Sequence, residues 1–257
     1  MSHICNTLFI GKVLLRYNSL DSTNLEAQRM LLHTSKPIEG TVIIAEKQSE
    51  GKGQRGNQWE SPIGQNLLSS YILYPKHFLP KQQFNLNIIA SLGVVDLLHE
   101  LGIYSTCVKW PNDIYIGKKK VAGILIQNNI TNQYIASTII GIGLNVNQSE
   151  FDSLMPNPTS IKNSLALDQD LDLEFILDRV CYYLEKRYLQ SKTTLGVQQM
   201  RKDYTEQMFR LNEVASYQID GKAQAGIIEG IDEMGKLILR MEDHLRVFDF
   251  QELRFLM

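Results

Sequence analysis

A chain of 257 residues with 44% hydrophobic and 21% charged content has ordinary globular composition, long enough for one large core or two unequal ones. A net charge of −2 argues against an extended nucleic-acid-binding surface, because duplex binding needs many phosphates neutralised by Lys and Arg, and leaves room only for a local basic loop. Cys5, Cys107 and Cys181 are too scattered for a disulfide framework or a thiolate metal site, and the five histidines make no His-x-x-x-His pair. With no secretory leader and no run of about 18 apolar residues, a soluble, cytoplasmic protein with no membrane contact and no protein-bound metal is expected.

In chain order, β-branched and apolar residues predict a strand over 13–17. A short helix follows Ser22-Thr23, with Thr23 and Glu26 at capping-box spacing. Strands are predicted over 41–45 and 67–73, then a helix on the stripe Leu86, Ile89, Ala90, Gly93, Val94, Leu97, Leu98 and Leu101, stopped by Gly102. Further strands are predicted over 106–110, 114–116, 121–127 and 134–143. Gly117-Lys118 makes a hairpin of two of them and argues against pure βαβ winding.

Pro156 and Pro158 fix an extended surface loop, and Leu173, Ile176, Leu177, Val180, Leu184 and Tyr188 mark another helix. From about residue 208 the chain turns to short strands over 213–218, 223–231, 236–240 and 244–248, with turns at Asp220-Gly221 and Met234-Gly235. The expected fold class is α+β: a mixed, largely antiparallel sheet with helices packed on it over residues 1–207, and a small C-terminal β-barrel over 208–257.

Three segments carry chemistry. The first, Gly51-Lys52-Gly53-Gln54-Arg55-Gly56 with Trp59 beyond it, can wrap an oxyanion: glycines allow close backbone approach, and Lys52 and Arg55 supply charge. The alternative is a flexible exposed hairpin. A dinucleotide-binding turn fits poorly, since Ser61-Pro62-Ile63-Gly64 does not continue a helix, and the His-Arg-Asp and Asp-Phe-Gly signatures of a kinase are absent.

The second, Lys109-Trp110-Pro111-Asn112-Asp113, places a cation, an amide and a carboxylate at a strand end; a purely structural polar turn is the competing reading. Lys118 and Lys119 read as a solvated charge run, whereas Lys120 borders an apolar strand, where it could stabilise charge on a carboxylate or acyl phosphate. In the third, Ile140-Gly141-Ile142-Gly143-Leu144-Asn145, glycine within a strand marks close approach of a ligand or a bulge.

Together with Asp21-Ser22-Thr23-Asn24 and Lys120-Val121-Ala122-Gly123-Ile124-Leu125, these segments resemble, in order, those of the biotin protein ligases, and the resemblance spans most of the chain. It implies a class II synthetase-like, lipoate ligase-like catalytic domain followed by an SH3-like module. It implies ATP-dependent biotinylation of a lysine on a biotin carboxyl carrier protein, or on the carrier domain of a biotin-dependent carboxylase, through biotinyl-5'-AMP, with Mg2+ accompanying ATP.

The resemblance assigns biotin contacts to Ser22, Thr23, Asn24, Gln48, Gly51, Lys52 and Lys120, with Gly123 and Gly141 leaving room beside the bicyclic ring. It assigns ATP and adenylate contacts to Lys52, Gly53, Gln54, Arg55, Trp59, Asn112, Lys120, Asn145 and Thr159. The chemical roles fall to Lys120, Asp113, Lys109 and Arg55, with Asp113 orienting or deprotonating the acceptor lysine.

The chain departs from the family's Gly-Arg-Gly-Arg-x-Gly-Arg loop in having Lys52, Gln54 and Asn57 at the arginine positions, so weaker retention of the adenylate is expected. Some members carry an N-terminal DNA-binding module; entry into the catalytic segment by residue 21 leads us to expect the monofunctional type. A lipoate or octanoate ligase or transferase is the nearest alternative, although its Arg-Arg-x-x-Gly-Gly-Gly segment is absent. A non-catalytic biotin sensor is the other. An exposed sheet edge could serve a homodimer or the carrier protein.

Overall fold

The computed structural model describes residues 5–152, 157–242 and 244–256, with Arg55 described in its backbone only. Met155 and Pro156 of the expected proline-fixed loop lie outside the described residues.

The first part of the chain runs β1 (Leu14–Leu20), α1 (Thr23–Leu32), β2 (Val42–Gln48), β3 (Leu67–Leu73), α2 (Phe84–Glu100), β4 (Thr106–Lys109), β5 (Asp113–Ile116), β6 (Lys119–Ile130), β7 (Ile135–Leu144), α3 (Ile161–Leu165), α4 (Leu173–Gln190) and α5 (Thr194–Glu206). The second part holds β8 (Val214–Ile219), β9 (Lys222–Ile231), β10 (Leu237–Met241), β11 (His244–Phe248) and β12 (Leu253–Phe255).

The first seven strands form one sheet in the order β1-β2-β3-β7-β6-β5-β4, and among the described strands only β1 and β2 pair in parallel. The last five form an antiparallel sheet in the order β11-β10-β9-β8-β12. The fold is therefore α+β with a mixed, largely antiparallel main sheet. No helix among the described residues is long and apolar enough to cross a membrane.

Because side chains alternate across a pleated sheet, β3, β7 and β6 each show two faces. Tyr71 and Leu73, Ile140 and Ile142, and Ala122 and Ile124 join the main core with α2, α4 and α5. Ile72 and Ile139 face the other way, where they and Ile43 meet Ala27 of α1 in a smaller cluster. Register continues this second face along the sheet, with Ser70 opposite Gly141 and Gly143 opposite Gly123, which is opposite Asp113.

Helix α1 starts at Thr23, with Ser22 at the N-cap position and no side-chain cap. The expected capping box is thus absent, because Thr23 is already the first helical residue rather than the N-cap; its hydroxyl instead donates to Gln48 Oε1 at 3.1 Å. The hairpin between β5 and β6 turns at Gly117, whose φ of 58° suits a left-handed turn residue.

Helices α3 and α5 and strand β12 escaped the sequence reading. Helix α5 buries only the sparse set Gly196, Met200 and Tyr204, and its cap lies in Thr193, whose Oγ1 accepts from the Gly196 N–H at 3.0 Å. Cys5 and Cys181, distant in sequence, both lie against Gly11. Beside them the Glu185 carboxylate accepts from the N–H groups of Leu8, Phe9 and Ile10 at 2.6, 2.7 and 2.9 Å, clasping the N-terminal segment to α4.

Candidate active site

Between the second face of the main sheet and the C-terminal sheet lies a cleft of ≈ 340 Å³, within the range of small-molecule sites. Its floor is set by alternation: Gly123, Gly141 and Gly143 all point their missing side chains at it. That clearance is taken by protein. A Cβ on Gly141 would run into the Asn24 amide, and one on Gly123 would lie 2.8 Å from the Trp59 indole, which also covers Gly143. The room expected beside a bicyclic ring at Gly123 and Gly141 is therefore room for Trp59 and Asn24.

One end of the floor is a polar network on α1. Gln48 Oε1 accepts from the Thr23 N–H at 2.7 Å and from its hydroxyl, while Ser70 Oγ lies 2.8 Å from Thr23 Oγ1 and 2.6 Å from Asn24 Oδ1. Asn24 Nδ2 reaches Gln127 Oε1 at 3.3 Å. Thr23, Asn24 and Ser70 are buried, so their donors and acceptors are held in fixed directions.

At the other end, Lys120 and Asp113 form an ion pair with Nζ to Oδ1 at 2.7 Å, side chains 28% and 26% exposed. A bulge makes this pair possible. Strict alternation would send Lys120 to the core side with Ala122 and Ile124, but the register slips so that Ala122 faces Ile114 and Lys120 faces Tyr115, passing over Val121. The extra residue turns Lys120 into the cleft, a common use of bulges beside functional sites. Its Nζ lies 5.5 Å from the centre of the Trp59 ring.

Lys109 lies opposite Asp113 in register, donates to Tyr115 Oη at 3.2 Å, and sits 5.2 and 5.3 Å from the rings of Tyr115 and Phe255. Burial holds its ammonium below the ordinary lysine range; Asp113 opposes the shift, while Lys120, Arg210 and Arg254 add to it. Burial likewise pushes the Tyr115 phenol up, so it stays protonated. Asn112 is fixed by its side-chain donor to Ile124 O and by its carbonyl, which accepts from the Ile124 N–H at 3.1 Å.

The glycine loop closes over this end. Trp59 N–H donates to Gly51 O at 2.9 Å, Lys52 bridges to Gln58, and Gly53 N–H donates to Asn57 O at 2.7 Å around a 3-10 turn at Gln54–Gly56. Trp59 Nε1 is buried without a partner among the described residues, leaving a donor for a ligand.

The cleft thus gathers Ser22, Thr23, Asn24, Gln48, Lys52, Gly53, Gln54, Trp59, Lys109, Asn112, Asp113, Lys120, Gly123 and Gly141 of the expected set. Gly51, Asn145 and Thr159 do not line it. Gly51 is the loop's hinge partner to Trp59, while Asn145 donates to Thr159 O at 3.0 Å and the Thr159 N–H to Lys120 O at 2.8 Å, bracing the strand behind Lys120. The side chain of Arg55 lies outside the described residues.

The sequence reading missed Ser70, a plain strand serine, and Phe250, Arg254 and Phe255, which reach the cleft only because the second sheet folds back on the first. Among the described lining residues, Lys52, Lys109, Lys120 and Arg254 face one carboxylate, Asp113, so the cleft suits an anionic ligand. Among the described residues no group of three His, Cys, Asp or Glu is placed to hold a metal ion, and Asp113 is paired with Lys120.

The profile of the biotin/lipoate A/B protein ligase family matches residues 18–145. The bifunctional ligase/repressor BirA of Bacillus subtilis is 36% identical over 185 residues, 71% of this chain, which spans 55% of that relative's length. The biotin–[acetyl-CoA-carboxylase] ligase of Paracoccus denitrificans is 29% identical over 231 residues, covering 86% of this chain and 91% of its own. Among solved structures, the biotin protein ligase of Aquifex aeolicus in complex with biotin and ATP is similar with a TM-score of 0.77 and 25% identity, over 95% of this chain and 98% of that one. The chain belongs to the biotin protein ligase family.

Proposed function

We propose that the chain is a biotin–protein ligase acting in two steps in one cleft. A biotin carboxylate oxygen attacks the α-phosphorus of ATP, releasing pyrophosphate and giving biotinyl-5'-AMP; the amine of a carrier lysine then attacks the acyl carbon, forming the amide and releasing AMP. The observation that carries this reading is the Lys120–Asp113 pair under the Trp59 loop, at the far end of a floor whose other end is the Thr23–Gln48–Asn24 network. One end offers fixed donors and acceptors to a ureido group, the other a cation and a carboxylate to the reacting carboxyl.

In this reading Lys120 holds the carboxylate and steadies the charge that develops on phosphate. Lys109, Arg254 and Lys52 attract the triphosphate, Asn112 and Trp59 contact the nucleotide, and Arg55 joins them from the loop. Asn145 and Thr159 act through the strand behind Lys120. Asp113 orients or deprotonates the acceptor lysine, whose ordinary pKa near 10.4 leaves little free amine at neutral pH. The loop keeps water from the mixed anhydride. Mg2+ would enter with the phosphates of ATP.

The acceptor proposed is a biotin carboxyl carrier protein or carrier domain, in keeping with the name of the Paracoccus relative. No nucleic acid is among the proposed partners. The exposed edge at β1 is available to a second copy or to the carrier, and the three free cysteines suit the cytoplasm. We divide the chain into a ligase part, 1–207, and an SH3-like part, 208–257.

ATP–pyrophosphate exchange with biotin, lipoate and octanoate tests the proposal. Exchange with biotin alone supports it. Exchange with lipoate or octanoate favours the sister activity that shares the family profile, and exchange with none favours a biotin sensor.

A further inference from the structure

Three attachments hold the back of the turn that carries Asn112 and Asp113. Tyr204 of α5, fully buried, donates from its hydroxyl to Pro111 O at 3.0 Å. The indole N–H of Trp110 donates to Gly235 O, in the turn between β9 and β10, at 2.9 Å. The chain leaving α5 runs beside β4, with the Val108 N–H donating to Gln207 O at 2.7 Å and the Phe209 N–H to Val108 O at 2.9 Å.

Aromatic rings fill the space behind. Phe84 meets Tyr204 edge-on with centroids 5.6 Å apart, and Trp110 lies 5.1 Å from Phe250. Gly235 has a φ of 85°, and a Cβ there would overlap the Phe84 ring, so only glycine brings its carbonyl to Trp110. On the cleft side the turn is tied to β6 through the two hydrogen bonds between Asn112 and Ile124 and through the Asp113–Lys120 ion pair. Pro111 has no N–H to offer, so its carbonyl is its one polar backbone handle, and Tyr204 takes it.

We infer that Tyr204 is a positioning residue: its hydroxyl, with the Gly235 carbonyl, sets where Asn112 and Asp113 stand relative to Lys120. The inference rests on the ligase reading for its kinetic consequence but not for its geometry. In the ligase reading the ureido end of biotin is held on α1, β2 and β3, with which Tyr204 makes no hydrogen bond or ring contact among the described residues, while Lys120 holds only its carboxylate. Loss of the hydroxyl therefore acts on the chemical step and spares biotin affinity.

The test is Tyr204→Phe in the full chain, which removes one oxygen and keeps the ring against Phe84. Two readouts are taken: hydrogen exchange at the Ile124 amide, which bonds the turn directly, and biotin-dependent ATP–pyrophosphate exchange. We expect the Ile124 amide to exchange roughly tenfold faster with α2 and α4 unchanged. We expect kcat to fall about tenfold with the KM for biotin within about twofold of the parent.

Unchanged protection at Ile124 overturns the inference. So does a general loss of protection in which kcat and biotin KM move together, the mark of a merely structural role. Trp110→Phe, which cuts the bond to Gly235, should show the same pattern of readouts. If the parent protein catalyses no exchange, the ligase reading fails on its own, and protection at Ile124 decides the positioning of the turn.

Discussion

The Trp59 indole lies directly over Gly143, where a Cβ would overlap its ring. Gly143→Ala should therefore push the indole off the floor and leave the glycine loop less closed over the Lys120 end. We expect the KM for ATP to rise about tenfold, the loss of roughly 1.4 kcal/mol of binding. Tryptophan emission, which only Trp59 and Trp110 contribute, should shift to the red. Nucleotide titrations followed by fluorescence check both.

Lys120 and Asp113 are one ion pair with two proposed jobs, and substitution should separate them. Lys120→Met is expected to slow pyrophosphate exchange by ~10²–10³-fold, the usual loss for one stabilising donor. Asp113→Asn should cost exchange about tenfold or less but slow transfer from preformed adenylate to the carrier by ~10²-fold or more. Single-turnover transfer measured beside exchange gives the comparison.

How far these roles could be read from the chain depends on the residue. Period-2 runs and the Gly117 turn give the main strands and the hairpin, because burial on one face writes itself into the sequence. Lys109, Asn112 and Asp113 stood out as polar groups at a strand end, whereas Thr23 and Gln48 were assigned only through the family resemblance. The direction of Lys120 did not: alternation counted along β6 sends it to the core, and only the register slip at Val121, a property of two paired strands, sends it to the cleft. Arg254 and Phe255 were invisible for a similar reason, since they reach the site through the folding back of a second sheet. Helix α5, whose Tyr204 holds the turn before Asn112 and Asp113, shows too few buried apolar residues for periodicity to find.

Lys109 should give the reaction an alkaline limit. Burial lowers its pKa, so it loses its proton below the ordinary lysine value near 10.4, and with it the charge that attracts phosphate. The KM for ATP should then rise as pH increases through the interval below 10.4, and Lys109→Arg should remove that rise. Stability runs the opposite way. The unfolded chain binds this proton more tightly, so Lys109 contributes a stabilisation that grows with pH over the same interval. Thermal unfolding across an alkaline pH series reads the second effect and KM the first.

The loop carries Gln54 and Asn57 on the cleft wall, at positions where the resemblance stated above leads us to expect arginine. Gln54→Arg with Asn57→Arg should slow escape of biotinyl-5'-AMP by about tenfold or more, since a hydrogen bond to a charged group contributes ~1.5–3 kcal/mol. Release of labelled adenylate in the absence of carrier measures it. Slowing below twofold would show that Lys52 and its neighbours already retain the intermediate, an outcome judged against about 0.4 kcal/mol.

The cleft walls run from Ser22 to Phe255, so no stretch of the chain short of both sheets can make the binding surface. Occupancy is then a load shared by the two sheets. A ligand at a hundred times its Kd adds about 2.7 kcal/mol to the native state, and here that increment falls on the junction, where Trp110 meets Gly235. With ligand bound, the C-terminal sheet and the main sheet should unfold as one cooperative unit. Their melting would then report the occupancy of a site that neither sheet holds alone.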